Sequence, residues 1–423
     1  MTEEFLHYLW KYRLLNEYAL ELDSGEKLQI IKPGEHNTNA GPDFFNARIK
    51  IGNTLWAGNV EIHINSSDWH AHKHQHDDAY NNVILHVVYK QDKPVQRKNG
   101  QPLPAIELKG KFDETIFKKY ASLKSSAAWI PCENQIKKTS SFILDSWLER
   151  LLINRLERKA TDILNVLAIN KNNWEQSFYE ILAKNFGFKV NTQPMEQLAR
   201  ITPLNVLLKH RTNLIQLEAL LFGQAGMLHK KHTDAYALEL QKEYQFLKQK
   251  FQLTSLPQGI WRFLRLRPAN FPTIRIAQFV GLIHNNPIFF SNVIAAEKLK
   301  QIKKIFNAAT STYWETHYRF DKVSATRKKQ LGEDAINILM INVICPFLFV
   351  YGKQKGEEIY CERALGFLEE MEAEKNSIIK KWGSIGIKSK TAYDSQALLE
   401  LKNEFCSHKK CLQCAVGNYL LKN

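Results

Sequence analysis

A chain of 423 residues, 44% hydrophobic and 24% charged, has enough apolar surface for two or three domains with a sizeable core, which excludes a disordered or fibrous protein. It carries 58 Lys+Arg against 43 Asp+Glu, a formal charge of +15, and such an excess favours polyanionic partners because basic side chains displace counterions from phosphates. The N-terminus MTEEFLHYLW has no basic segment ahead of an apolar run, so it does not read as a secretory signal; a cytoplasmic location with reduced cysteines is expected.

Phe5, Leu6, Leu9, Trp10, Tyr12 and Leu15 recur at helical spacing over 3–18. Lys27 to Ile31 reads as a short strand, followed by the polar loop KPGEHNTNAG. Phe44 to Ile51 alternates and meets the turn signal Gly52-Asn53; Leu55 to Ile64 reads as the return strand, with a bulge at Gly58. Ser66 and Ser67 are capping residues for one helix from Trp69 to Tyr80. Asn82 to Tyr89 is a buried, β-branched strand, and Asn99-Gly100 marks a hairpin ending in AIELKG. These elements predict an α/β domain over 1–125, a mixed sheet flanked by helices.

From Ser141 the pattern becomes helical. WLERLLINRLERKATDILNVLA is amphipathic, and LNVLLKHRTNLIQLEALLFGQAG follows Thr202-Pro203 as N-cap and first helical residue. Further helices are expected over 233–250, 294–306, 333–350 and 355–380. The apolar run Ala335 to Tyr351 contains Asn337, Asn342 and Pro346, so it reads as a buried helix and no membrane is expected as a partner. The expected organisation is therefore the α/β domain, a mainly helical domain over 126–395, and a C-terminal cysteine segment over 396–423 that packs back on the chain.

Asp43 stands at the mouth of one strand and Glu61 inside its hairpin partner, where an unpaired carboxylate is costly. His63 lies two residues beyond Glu61 and shares its face. Two carboxylates and an imidazole can thus converge, and a divalent ion such as Mg²⁺ (or Mn²⁺) would relieve the repulsion between the acids. With Pro42-Asp43 and Glu61-Ile62-His63 in these places, residues 1–90 resemble the PD-(D/E)XK nuclease superfamily, histidine standing where that family has lysine. The resemblance implies a restriction-endonuclease-like core, acids that hold the metal, and a water-activating role for the third position. His63 would fill that role if partly protonated, or would ligate the metal directly. The resemblance also implies that a glutamate of the first helical region (Glu3, Glu4 or Glu17, with Glu4 taken as ligand) completes the site. The whole chain also resembles an uncharacterised bacterial family known only as domain of unknown function 2851, on stretches such as NAGPDFFNARI, EALLFGQAGML, RPANFPTIRIAQ and CLQCAVGNYLL; that likeness implies no function.

Trp69 to Asp78 contains four alternating histidines. On a continuous helix His72 and His76 share a face, as do His74 and Asp78. His72 and His76 are the expected contacts to a substrate phosphate or metal-bound water, with Asp78 and Tyr80 orienting them. The string also suits a zinc hydrolase, with His86 as the nearest further ligand.

Cys406, Cys411 and Cys414 form C-x₄-C-x₂-C, a clustering that calls for a metal. The spacing equals the first part of a plant-type iron–sulfur run, so a fourth ligand must come from upstream; Cys132 in IPCE is the best candidate and His408 the local alternative. Cys345 and Cys361 read as packing residues. The arrangement resembles the iron–sulfur staple of some nucleases of the same superfamily; a 4Fe–4S cluster, Zn²⁺ and buried thiols without metal all remain open.

Arg262, Arg265, Arg267 and Arg275 surround a Pro-broken segment interleaved with Trp261, Phe263 and Phe271, a combination that suits phosphate contact and base stacking. The expected function is a Mg²⁺-dependent nuclease acting on DNA or RNA. The alternatives are a non-catalytic nucleic-acid-binding or scaffold protein with a degenerate nuclease core, and a zinc hydrolase using the histidine string.

Overall fold

In a computed structural model that describes residues 1–423, the side chain of Gln258 aside, Thr2 caps the first helix, α1 (Glu3–Lys11), by accepting a hydrogen bond from the Phe5 N–H. Phe5, Leu6, Leu9 and Trp10 are fully buried, and Trp10 donates its indole N–H to Pro33 O at 2.9 Å. Helix α1 packs on the sheet through strand β4, and its His7 comes to lie beside Asp43.

The sheet has six strands: β1 (Leu28–Lys32), β2 (Glu35–His36), β3 (Phe44–Ile51), β4 (Thr54–Asn65), β5 (Val83–Lys90) and β6 (Ala105–Glu107). Its order is β1-β3-β4-β5-β6, with β2 also pairing β3. Strands β1, β3 and β4 are antiparallel; β5 runs parallel to β4, and β6 parallel to β5. A parallel pair needs a crossover, and residues 66–82 supply it.

That crossover is not the single helix expected from Trp69 to Tyr80. Helix α2 spans only Asp68–Ala71, Lys73 turns left-handed (φ 62°), and single turns follow at His74–His76 and Asp78–Tyr80. Ser66 and Ser67 do not cap it; their hydroxyls donate to Asp92. Histidines alternating with polar residues offer no apolar stripe to hold a helix against the sheet. The bulge also differs from expectation. It falls at Phe45-Asn46 of β3, where Asn46 has φ 55°, while Gly58 is bare because a Cβ there would lie 2.5 Å from Ile84 Cγ2. The Asn99-Gly100 turn forms, but β6 lies parallel to β5, so it does not join them as a hairpin.

Residues Met1–Trp147 and Leu401–Asn423 make up this first unit, which also contains helix α3 (Glu114–Ser125) and the C-terminal cysteines. Residues Leu148–Glu400 make up a second unit. The division falls at Trp147, inside the long helix α4 (Ser141–Ile169), rather than near residue 125. The second unit is helical apart from one small hairpin, His317–Arg319 with Lys322–Val323. Several expected helices are broken: 294–306 into Phe289–Ala295 and Leu299–Ile305, and 355–380 into Glu358–Glu370 and Ser377–Ser384. Glu333–Lys355 is continuous, long and apolar enough to cross a membrane by composition, yet its apolar window is 67% buried in this unit's core. It contains a π-turn at Met340–Ile344 just before Pro346, which has no N–H to continue the ladder.

Candidate metal centre

Asp43 lies one step beyond the Phe44–Val60 pair, which puts it opposite Glu61. The two are linked in both directions: Asp43 N–H donates to Glu61 Oε2 (3.1 Å) and Ile62 N–H donates to Asp43 Oδ2 (2.9 Å). The Glu61 side chain is 6% exposed and that of Asp43 22%, so the pair opens to solvent on the Asp43 side. Among the described residues, neither carboxylate pairs with a lysine or arginine. Their neighbours are imidazoles: His7 Nε2 lies 3.2 Å from Asp43 Oδ2, and His74 Nε2 and His63 Nε2 lie 3.3 and 3.5 Å from Glu61 Oε1.

His63 is held between two further histidines. Its Nδ1 is 2.8 Å from Nε2 of His86, which pairs with Glu61 in the sheet, and its Nε2 is 3.1 Å from His72 Nδ1. The left-handed Lys73 lets His72 and His74 turn toward the same point, and His74 stacks on Tyr80 at 3.8 Å between ring centroids. The ligand nitrogens of His63, His72 and His74 lie within 4.8 Å of one another.

Burial is the main cause of every resolved shift here. It pushes the Glu61 carboxyl up, with His74 opposing and Asp43 adding to the rise. It raises Glu3 too, with Asp43 next in effect, which places Glu3 among these charges. His63 is pulled down to about 2 by burial and then by His86, His74 and His72; His86 falls to about 3. Both are neutral at physiological pH. Of the two roles expected of His63, burial favours the second: a neutral imidazole accepts or ligates.

These residues fit a dication. The ring nitrogens His7 Nε2 and His74 Nε2 are buried beside carboxylate oxygens yet make no aligned hydrogen bond. If His63 donates its Nδ1–H to His86, its bare Nε2 faces Glu61 and His72, an arrangement that a cation completes. Three imidazoles and a carboxylate suit Zn²⁺ or Mn²⁺ better than Mg²⁺, which prefers an all-oxygen shell.

A family model described as "Protein of unknown function (DUF2851)" matches residues 3–377. The chain belongs to that family. No curated protein and no solved structure matches it.

In this DUF2851 chain Asp43, Glu61, His63 and His72 meet, but three other expected residues do not join them. Glu4 turns instead to Lys124 (3.7 Å) and Tyr120, because neighbouring residues on a helix face different ways, and it is Glu3 that feels the charge of Asp43 and His7. His76 is exposed outside the group, since the helix that would align it with His72 does not form. Asp78 points to Lys98 (2.7 Å) rather than orienting a histidine. His7 and His74 were not singled out. His7 carries a legible signal, lying four residues after Glu3 on one helix; His74 belongs to the histidine string, where helical spacing pairs it with Asp78 rather than with Glu61.

The four expected cysteines of the DUF2851 chain gather elsewhere in the same unit. Cys406 ends the turn Leu401–Cys406, Cys411 opens the next turn, and Cys414 precedes the terminal helix Ala415–Lys422. The turn after Cys132 packs against that helix. Burial, then Cys414 and Cys411, push the Cys132 thiol up to about 12; burial, then Cys414, push Cys411 to about 11. Cys345 and Cys361 pack in the helical unit.

Within the helical unit the arginines separate. Arg262, Arg265 and Arg267 are exposed on an irregular segment, whereas Arg275 lies on the helix Pro272–Asn285 and lines a cavity. The interleaved aromatics do not present free faces as expected for base stacking: Trp261 is buried with its N–H on Ala225 O, and Phe263 and Phe271 pack on each other and on Arg319.

Proposed function

We propose that this protein is a metal-dependent phosphodiesterase, a nuclease acting on DNA or RNA in the cytoplasm. The observation that carries the reading is the meeting of Asp43 and Glu61, on adjoining strands, with His63, His72 and His74 and, among the described residues, with no lysine or arginine paired to the acids. Glu61 and the three imidazoles would hold the metal, with Asp43 on the open side. A bound dication supplies Lewis acidity and lowers the pKa of an attacking water. His86 fixes the ring of His63, Tyr80 fixes that of His74, and His7 lies beside Asp43. The excess of basic residues attracts the polyanion. The test is cleavage of single- and double-stranded DNA and RNA with Mg²⁺, Mn²⁺ or Zn²⁺. Wild type is expected to cleave best with Mn²⁺ or Zn²⁺, and Asp43→Ala and Glu61→Ala to lose at least about a hundredfold in rate. Equal cleavage by all three proteins removes the reading. The neutrality of His63 favours a second one, a nucleic-acid-binding protein with a degenerate core; salt-dependent binding without cleavage under any of these metals would select it.

We also propose that Cys132, Cys406, Cys411 and Cys414 bind a 4Fe–4S cluster that ties the C-terminal segment to the rest of the first unit. The backbone N–H groups of Gly417 and Val416 and the indole of Trp147 act against burial to hold the Cys414 thiol down, and Trp147 Nε1 is buried with no hydrogen-bond partner. Such donors stabilise a thiolate. Among the described residues no three of these sulfurs lie within 4.8 Å of one another, whereas a single tetrahedral Zn²⁺ at about 2.3 Å would draw them to about 3.8 Å. Protein purified without oxygen should carry roughly four iron and four sulfide per chain. Cys411→Ser should lose them and Cys345→Ser keep them. Zinc alone, or four free thiols and no metal in wild type, refutes the cluster.

A further inference from the structure

We propose that a cavity of about 540 Å³ in the helical unit binds a nucleoside phosphate, with the Arg275 guanidinium as its anion contact. The inference does not rest on the phosphodiesterase reading, since every lining residue lies between Gly187 and Ile338 and none belongs to the metal centre.

The charge around the cavity is one-sided. Lys189, Arg275, Arg327, Lys328 and Lys329 line it, against one carboxylate, Asp334. Among the described residues Arg275 has no carboxylate partner. Its two terminal nitrogens donate to neutral oxygens, Gln278 Oε1 at 3.0 Å and Asn270 Oδ1 at 2.6 Å, and its plane lies over the Phe188 ring at 4.1 Å. Its Nε is buried with no acceptor. Three contacts therefore orient this guanidinium and none neutralises it. Burial draws its pKa down only to about 10, so it remains a cation.

Lys329 adds a second cation to the cavity, one that the Glu315 carboxylate partly offsets. Only 6% exposed, it donates to the Glu315 carbonyl at 2.8 Å and lies over Tyr318 at 4.2 Å. A buried guanidinium without counter-charge is costly unless an anion completes it, and an oriented guanidinium with a free N–H suits a phosphate.

Part of the remaining wall is apolar, formed by Leu266, Ile274, Ala335 and Ile338, beside the neutral amides of Asn191, Asn270, Gln278 and Gln330. An inorganic anion would leave that wall uncovered. A cavity of this size with an apolar floor and a few convergent polar groups suits a small organic ligand. A phosphate joined to a flat heterocycle satisfies both halves. Its source is a free nucleotide or the terminal nucleotide of a strand.

The test is calorimetry on the full-length chain in EDTA, with AMP, inorganic phosphate and a short 5′-phosphorylated single-stranded DNA as separate probes. AMP or the phosphorylated strand should bind more tightly than phosphate, and which of the two binds identifies the source. Arg275→Ala should weaken that binding at least about tenfold, and Arg275→Lys, which keeps the charge but loses the fork, by less. Arg327→Ala, an exposed site that leaves the packing untouched, should weaken it a few-fold and guards against misfolding of the Arg275 variants. Absence of binding by all three probes at about 1 mM overturns the proposal. So does phosphate binding as tightly as AMP, or affinity unchanged in both Arg275→Ala and Arg327→Ala.

Discussion

Glu61→Gln should lose divalent metal binding by at least roughly a hundredfold while making the metal-free protein more stable at pH 7. The two effects share one cause. Burial raises the Glu61 carboxyl, so its ionised form is disfavoured in the folded state. Below the ordinary carboxylate value the group is protonated in both states and costs nothing. As pH rises, the unfolded chain ionises first, and stability falls until the folded group ionises too. Glutamine keeps the acceptor for Asp43 N–H but removes the charge, a change expected to add on the order of 1 kcal/mol to the metal-free protein. Wild type should therefore melt lower than Glu61→Gln in EDTA and higher in excess Mn²⁺ or Zn²⁺. If the metal raises both melting temperatures equally, Glu61 is not a ligand.

The acid pair was legible because period and turn chemistry fix register. Gly52-Asn53 forces Phe44–Ile51 to fold back on Thr54–Asn65, and that pairing alone sets Asp43 opposite Glu61. His63 followed from the two-residue repeat of the same strand. His74 was hidden because its position depends on Lys73 adopting φ 62°, a left-handed conformation uncommon for lysine. The arginines show the opposite failure. Arg262, Arg265, Arg267 and Arg275 are close in sequence, yet the charge that gathers around Arg275 comes from Lys189 and from residues 327–329, brought there by tertiary packing. The break from sheet to helices was visible in the change of period, and the return of the C-terminal segment in its clustered cysteines and the need for an upstream ligand; the boundaries at Trp147 and Leu401 were not, since no local pattern encodes them.

Helix α1 joins the two metal sites proposed in the first unit. Glu3 feels Asp43 and His7, whereas Glu4, one position on, is felt by Cys411 and contacts Lys124. The turn that carries Cys411 packs on both α1 and α3. A cluster at the cysteines would thus steady the helix that presents Glu3 and His7 to the acids, without contributing any ligand to them.

Acid should unfold the metal-free protein well above the pH at which surface carboxylates titrate. His63 and His86 are held neutral, at about 2 and about 3, against about 6.5 in the unfolded chain. For a histidine with a lowered value, stability is complete above 6.5 and drains away as pH falls toward the folded value, because the unfolded chain takes up the proton first. Each group forfeits about 1.4 kcal/mol per pH unit, so moving from pH 6.5 to 5 costs about 2 kcal/mol apiece and about 4 kcal/mol together. Glu61 works in the other direction and returns part of this as it protonates. Urea midpoints in EDTA at pH 7 and pH 5 should show the loss, and His86→Gln, which cannot titrate, should lose about 2 kcal/mol less than wild type. Saturating metal should steepen the wild-type dependence, because protons compete with the ion for the same nitrogens. A midpoint unchanged between pH 7 and 5 would mean that these imidazoles are not buried neutral, and the ligand role argued for His63 would go with it.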